Sequence, residues 1–137
     1  MAISTSHESN NTLRNRLIKS IVLAIRNIYQ KSIIDDEGLD LIAFIIIALI
    51  QINKTVEQSA TAWEKRNYWI KADKFRLEWV WAIQYANTLE KILHDKNWGQ
   101  LGECLVGISQ KLKNITISSK NRIGEPWKGA YKIFNNL

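Results

Sequence analysis

From Leu41 to Ile50 the chain carries ten consecutive apolar side chains, and that run decides much of what the protein can become. A helix that is apolar on every side has no face to offer water, so other elements must surround it. Ten residues are about half of the ~20 that span a bilayer, so the run reads as a buried central helix over Leu39 to Val56. Its many β-branched isoleucines leave a buried strand open for part of the segment. Asp35, Asp36 and Glu37 come just before it, where carboxylates sit well against the positive end of a helix starting near Leu39.

The neighbours of that helix are legible from their spacing. Leu13, Leu17, Ile18, Ile21, Ile25, Ile28 and Tyr29 recur every three or four positions over 11–31, with Arg16, Lys19 and Arg26 on the opposite arc. From Ala60 to His94 no Gly or Pro occurs, and Trp63, Ile70, Leu77, Ile83, Leu89 and Leu93 keep helical spacing, which predicts one long or once-bent helix. Trp98, Leu101, Leu105, Ile108 and Leu112 restart the stripe up to about Lys113. Its Gly99, Gly102 and Gly107 cost up to ~1 kcal/mol each in a helix and suggest close helix contact. Ile115 to Ser119 reads as an extended connector or a single edge strand. Gly124-Glu125-Pro126 then opens a short helix that Trp127, Tyr131 and Phe134 would dock on the domain or on a neighbour. The expected fold is all-α: a compact bundle of four to five helices with a short extended connector near the C-terminus. It forms a single domain over 10–137 behind a flexible N-terminal tail, 1–9.

At 137 residues and 46% apolar composition the chain can bury a core without staples, and its one cysteine excludes an internal disulfide framework. That fits a reducing compartment, so the cytoplasm is expected. Met1 to Ser9 hold no basic stretch leading into an apolar run, and no secretory signal is expected. Catalysis finds little to work with. His7 lies in the tail, His94 beside Asp95 reads as a solvated helix end, and Cys104 as a small core residue. Glu78, Glu90 and Asp73 read as salt-bridge partners, and the glycines of 99–107 follow no strand and form no phosphate loop. The reading is therefore of a non-enzyme that calls for no cofactor and no metal.

Charge is more informative. The formal net charge is +6, but it is segregated: +5 over 10–32, −4 over 33–62, +2 over 63–96 and +4 over 97–137. Such polarity steers polyanions, of which phosphate backbones are the commonest. The densest constellation, Trp63 to Trp81, holds the cations Lys65, Arg66, Lys71, Lys74 and Arg76 among six aromatic rings. Helical spacing sets Lys65, Trp69, Ala72 and Arg76 on one face, where a ring and two cations could meet phosphates and unpaired bases together. The plainer account is that the rings fill the core and the cations solvate the outer side, with Arg66 over a Trp ring. Rings on all sides of one helix are more than a small domain can bury, which makes Trp69, Trp79 and Trp81 candidates for a protein interface. A second constellation, Lys111, Lys113, Lys120, Arg122 and Lys128, surrounds a connector rich in Ser, Thr and Asn, a mixture suited to phosphate contacts or simply to a solvated basic end.

The run from Trp63 through Trp-Glu-Lys-Arg-Asn-Tyr-Trp-Ile-Lys-Ala-Asp-Lys-Phe-Arg-Leu-Glu-Trp to Trp79, with the later Ile-Gly-Glu-Pro-Trp-Lys-Gly-Ala-Tyr of 123–131, resembles the helical small subunits of CRISPR effector complexes. That resemblance implies a non-catalytic subunit, present in several copies, that touches nucleic-acid backbone and neighbouring subunits while a guide RNA reads sequence. Its partners would be single-stranded DNA or RNA or a guide–target heteroduplex, other subunits, and copies of itself. The competing reading is a helical protein–protein adaptor or assembly chaperone acting as a homo-oligomer, its spare Trp surface an interface and its cations mere solubilisers. Membrane-surface binding by 11–31 is a weaker third reading, because that stripe has no Trp or Phe anchor, and no membrane partner is expected.

Overall fold

The computed structural model describes residues 8–137, and five helices account for most of them: α1 (Asn10–Tyr29), α2 (Asp36–Glu64), α3 (Trp69–Asp95), α4 (Trp98–Lys111) and α5 (Ala130–Asn135). No strand occurs among the described residues, so the all-α bundle expected from the sequence is what forms, with 115–118 as a connector outside any helix or strand and a turn following at 119–120. The tail expected over 1–9 lies outside the described residues for positions 1–7. Glu8 and Ser9 are tied to α1, since the Ser9 hydroxyl accepts from the Thr12 N–H and Glu8 pairs with Arg16.

The apolar run sits at the centre. α2 packs against α1, α3 and α5, while α4 lies on α3 and touches α1. Leu41, Ile42, Ile45, Ile46, Leu49 and Ile52 are wholly buried. Each such side chain contributes about 1.5–3 kcal/mol by leaving water. By length and composition α2 could cross a membrane, yet none of the ten residues of its apolar run is left exposed by the bundle around it. Asp35 caps α2 by accepting from the Gly38 N–H at 2.9 Å, and Lys31 holds both Asp35 and Glu37, so the acidic cluster serves the helix start as expected.

The helix boundaries differ from expectation in one instructive place. α2 does not stop near Val56 but runs on to Glu64, and the single helix expected from Ala60 to His94 is broken at 65–68. Asn67 turns left-handed (φ 65°), the Tyr68 N–H donates to the Trp63 carbonyl and the Asn67 N–H to that of Glu64, both at 2.9 Å. This double closure ends a helix without Gly or Pro, because Asn tolerates the left-handed region at small cost. The result is an antiparallel α2–α3 hairpin. Lys96 (φ 52°) repeats the same closure at the end of α3, with Asn97 N–H on the Ile92 carbonyl.

At the C-terminus, the helix expected to open at Gly124-Glu125-Pro126 opens later. Residues 126–129 form turns and α5 starts at Ala130 after Gly129 in the left-handed region (φ 79°). Trp127 is buried, and Tyr131 and Phe134 pack against the core, so the expected docking of this segment takes place. Of the three glycines on α4, only Gly107 makes a close helix contact, with the Tyr85 hydroxyl where a Cβ would sit. Nothing lies near Gly102, and only the Asn97 side chain near Gly99.

Candidate nucleic-acid interface

The α2–α3 hairpin presents the first set of cations. Lys65 and Arg66 lie in the turn, Lys71 and Lys74 on the first two turns of α3, and all four are exposed with no ion pair among the described residues. Trp69 beside them is 57% exposed. Behind Lys71 and Lys74 lies a hollow of about 480 Å³ lined also by Trp63, Ile70, Phe75 and Glu78. Trp63 and Phe75 meet edge to face at 4.9 Å, and the Lys71 Nζ stands 4.4 Å over the Trp63 ring. The cations over Trp rings among the described residues are therefore Lys71 on Trp63 and Arg14 on Trp79, not Arg66, which lies in the exposed turn at 65–68.

Three further expectations are corrected here. Arg76 does not face outward with Lys65 and Trp69: the face through Ala72 is the one packed on α2, and there Arg76 meets Glu64 (2.6 and 3.1 Å), Glu57 (3.2 Å) and Asp73 (3.8 Å). Those bonds hold the Glu64 carboxyl below its usual range and leave the guanidinium committed to joining the two helices. Trp81 is only 8% exposed, in the core. Trp79 is half-buried, stacked on Trp81 at 5.6 Å with Arg14 5.7 Å from its ring, so of the three expected interface tryptophans only Trp69 is presented. The apolar surface left on α3 consists instead of Trp69, Ile70, Leu77 and Val80, of which Ile70 and Leu77 are each 74% exposed. Its signal was present in the sequence, since 70 and 77 lie two turns apart, but spacing alone does not say which side of an apolar helix meets the core.

The second set divides. Lys111, Lys113 and Lys120 are exposed without an ion pair among the described residues, while Lys128 pairs with Glu125 at 3.1 Å. Arg122 has moved into different company. The connector folds back on α1, so that Arg122, Ser118 and Asn121 face Arg16, Lys19 and Ser20 across a groove of about 520 Å³. Arg16 and Lys19 were noted in the sequence only as the polar arc of a helix. Nothing in their spacing links them to a connector a hundred residues on.

Elsewhere the chemistry is sparse. Cys104 is buried, and desolvation with help from Glu103 pushes its thiol up to about 11, which keeps it protonated and inert. His94 Nδ1 lies 3.0 Å from Asp95 at an exposed helix end. No three His, Cys, Asp or Glu residues among those described are grouped to hold a metal ion. Comparison of the chain with protein-family models, with curated proteins and with solved structures found no match.

Proposed function

We propose that the chain is a non-catalytic helical subunit that holds nucleic-acid backbone without reading its sequence, within an RNA-guided CRISPR effector complex of the cytoplasm. The observation that carries the backbone reading is that the candidate cations are free. Apart from Arg76 and Lys128, none is taken up by a carboxylate among the described residues, and Lys71 and Lys74 border a hollow that Trp63, Phe75 and Glu78 also line. Lysines and arginines neutralise phosphates, and a ring between them gives an unpaired base a surface to lie on. The placement in a guide-dependent assembly is supported by the likeness of 63–79 and 123–131 to CRISPR small subunits.

The test is the salt dependence of single-strand binding, read by fluorescence anisotropy of a labelled oligonucleotide. Four engaged hairpin cations give a log–log slope near about −2.8, so affinity falls by about 50-fold between 50 and 200 mM salt. Lys71→Glu/Lys74→Glu should weaken binding by at least about tenfold and flatten the slope by about 1.4. A wild-type chain that leaves the probe free at 50 mM salt sinks the reading.

The exposed row on α3 favours a second reading, the homo-oligomeric adaptor, because aromatic and large aliphatic side chains on one unpartnered face are what interface cores contain. In that case Trp69→Ala or Leu77→Glu reduces the sedimentation coefficient to that of a monomer, while Lys71→Glu/Lys74→Glu leaves it unchanged. A wild-type protein already monomeric at 100 µM rejects this reading.

A further inference from the structure

The groove between α1 and the connector differs from the hairpin tip in having two walls from distant parts of the chain, along which its cations stand exposed. Its charged lining residues, Arg16, Lys19 and Arg122, are all cations. A second hollow of about 330 Å³ shares Arg16, Lys19 and Ile123 with it and extends along α1 to Thr12, so the two form one trough. The connector wall is held in shape by its own polar side chains. Asn121 accepts from the Ile123 N–H (3.0 Å) and donates to the Ser118 carbonyl (2.9 Å). The Ser118 hydroxyl accepts from the Lys120 N–H (3.1 Å), which leaves its own proton to donate into the groove. Lys19 and Arg122 have no ion pair among the described residues. Arg16 has one, and it is instructive: Glu8 takes its Nε at 3.1 Å and its Nη2 at 2.9 Å, the same forked pair of donors that a phosphate would take.

We infer that this trough grips consecutive phosphates of a single-stranded nucleic acid, and that Glu8 is an internal competitor which a phosphate must displace from Arg16. The assignment rests on the backbone reading above and adds a binding path and a restraint on it. Guanidinium forks at Arg16 and Arg122 and the Lys19 ammonium in the same groove suit tetrahedral oxyanions, and the apolar Ile117, Ile123 and Pro126 give a sugar or base something to lie against. A trough that runs on from one hollow to the next fits a strand better than a lone anion. Arg14, two residues before Arg16 and on the opposite side of α1, is buried against Thr55 of α2 and the Phe75 and Trp79 rings of α3, so the trough lies on the face of α1 turned away from those helices.

The experiment is an anisotropy titration of a labelled 20-nucleotide oligothymidylate at 50 mM NaCl, with thermal melts confirming that each variant is folded. Glu8→Gln removes the competitor and should tighten binding about two- to fivefold, the range open to an exposed ion pair. Lys19→Glu/Arg122→Glu should weaken binding at least about tenfold and flatten the salt slope by about 1.4. The milder Lys19→Gln/Arg122→Gln should fall between that variant and wild type. Unchanged binding in Lys19→Glu/Arg122→Glu, with binding lost in Lys71→Glu/Lys74→Glu, overturns the trough and leaves the backbone reading standing. Failure of the wild-type chain to bind at all removes both. Unchanged affinity in Glu8→Gln overturns the competitor. Inorganic phosphate that displaces the probe as completely as unlabelled strand does would overturn the strand in favour of a free anion.

Discussion

Replacing Arg14 with Ala should lower the unfolding free energy by about 3 kcal/mol, a large loss for one residue of a helical bundle. Arg14 is 5% exposed and has no carboxylate partner among the described residues, an unusual position for a cation. Its Nε donates to the Thr55 hydroxyl at 3.1 Å and its Nη2 to Ser59 at 3.3 Å, while its guanidinium lies 4.9 Å from the Phe75 ring centre and 5.7 Å from that of Trp79. One side chain thus ties α1 to α2 and α3, and removing it leaves a void and takes a donor from Ser59 and Thr55, although the Thr55 hydroxyl keeps its own bond to the Ile52 carbonyl at 2.7 Å. Desolvation lowers the pKa of the guanidinium, which marks the charge itself as a cost. Arg14→Met, which keeps the length and drops the charge, should therefore stay within about 1 kcal/mol of wild type. Urea unfolding of the three proteins decides the matter. If Met is as damaging as Ala, the hydrogen bonds dominate. A loss under about 1 kcal/mol for Ala would mean that the neighbouring rings close the void unaided.

Asp40→Ala should cost about 2 kcal/mol and free the C-terminal segment. Asp40, on the second turn of α2, accepts from the Tyr131 N–H at 2.9 Å and the Gly129 N–H at 3.1 Å, and so caps α5 from across the molecule. A short helix of six residues cannot stand on its own propensity, because nucleation costs more than a turn and a half returns. The Gly129 and Tyr131 amides have this one carboxylate as acceptor, while the Ala130 N–H between them donates to the Trp127 carbonyl at 2.9 Å. Hydrogen exchange at Gly129 and Tyr131 should rise towards that of an open loop in Asp40→Ala. In Asp40→Asn, which keeps one acceptor oxygen, it should rise about half as far on a logarithmic scale. Exchange unchanged in the alanine variant would show that Trp127 and Ala130 alone hold the segment down.

Local pattern and global arrangement were not equally legible. The α1 stripe, the buried run of α2, the acidic cap at Asp35 and the core place of Cys104 follow from side-chain chemistry within a few residues. The break at 65–68 does not, because it depends on Asn67 entering a backbone region that Asn visits at modest cost, and no Gly or Pro announces it. That one unseen turn reassigned Arg76 from a presented cation to a strut between two helices and sent Trp81 into the core. Spacing places Arg76 on a face with Lys65 and Trp69, while Trp81 is an interface candidate only because the rings on this helix are many for one small domain to bury.

For the candidate site the division is sharper. Which residues carry positive charge is written in the order of amino acids. That Arg122 of the connector stands opposite Arg16 and Lys19, with Glu8 already on one of them, is written nowhere in it. Helical periodicity is a relation among residues three or four positions apart, and it determined the stripes of α1 and α4 and, with the apolar run of α2, the core they share. The meeting of distant charges depends on how those pieces cross and where a hundred-residue detour returns, and only burial of the α2 run by its neighbours decided that.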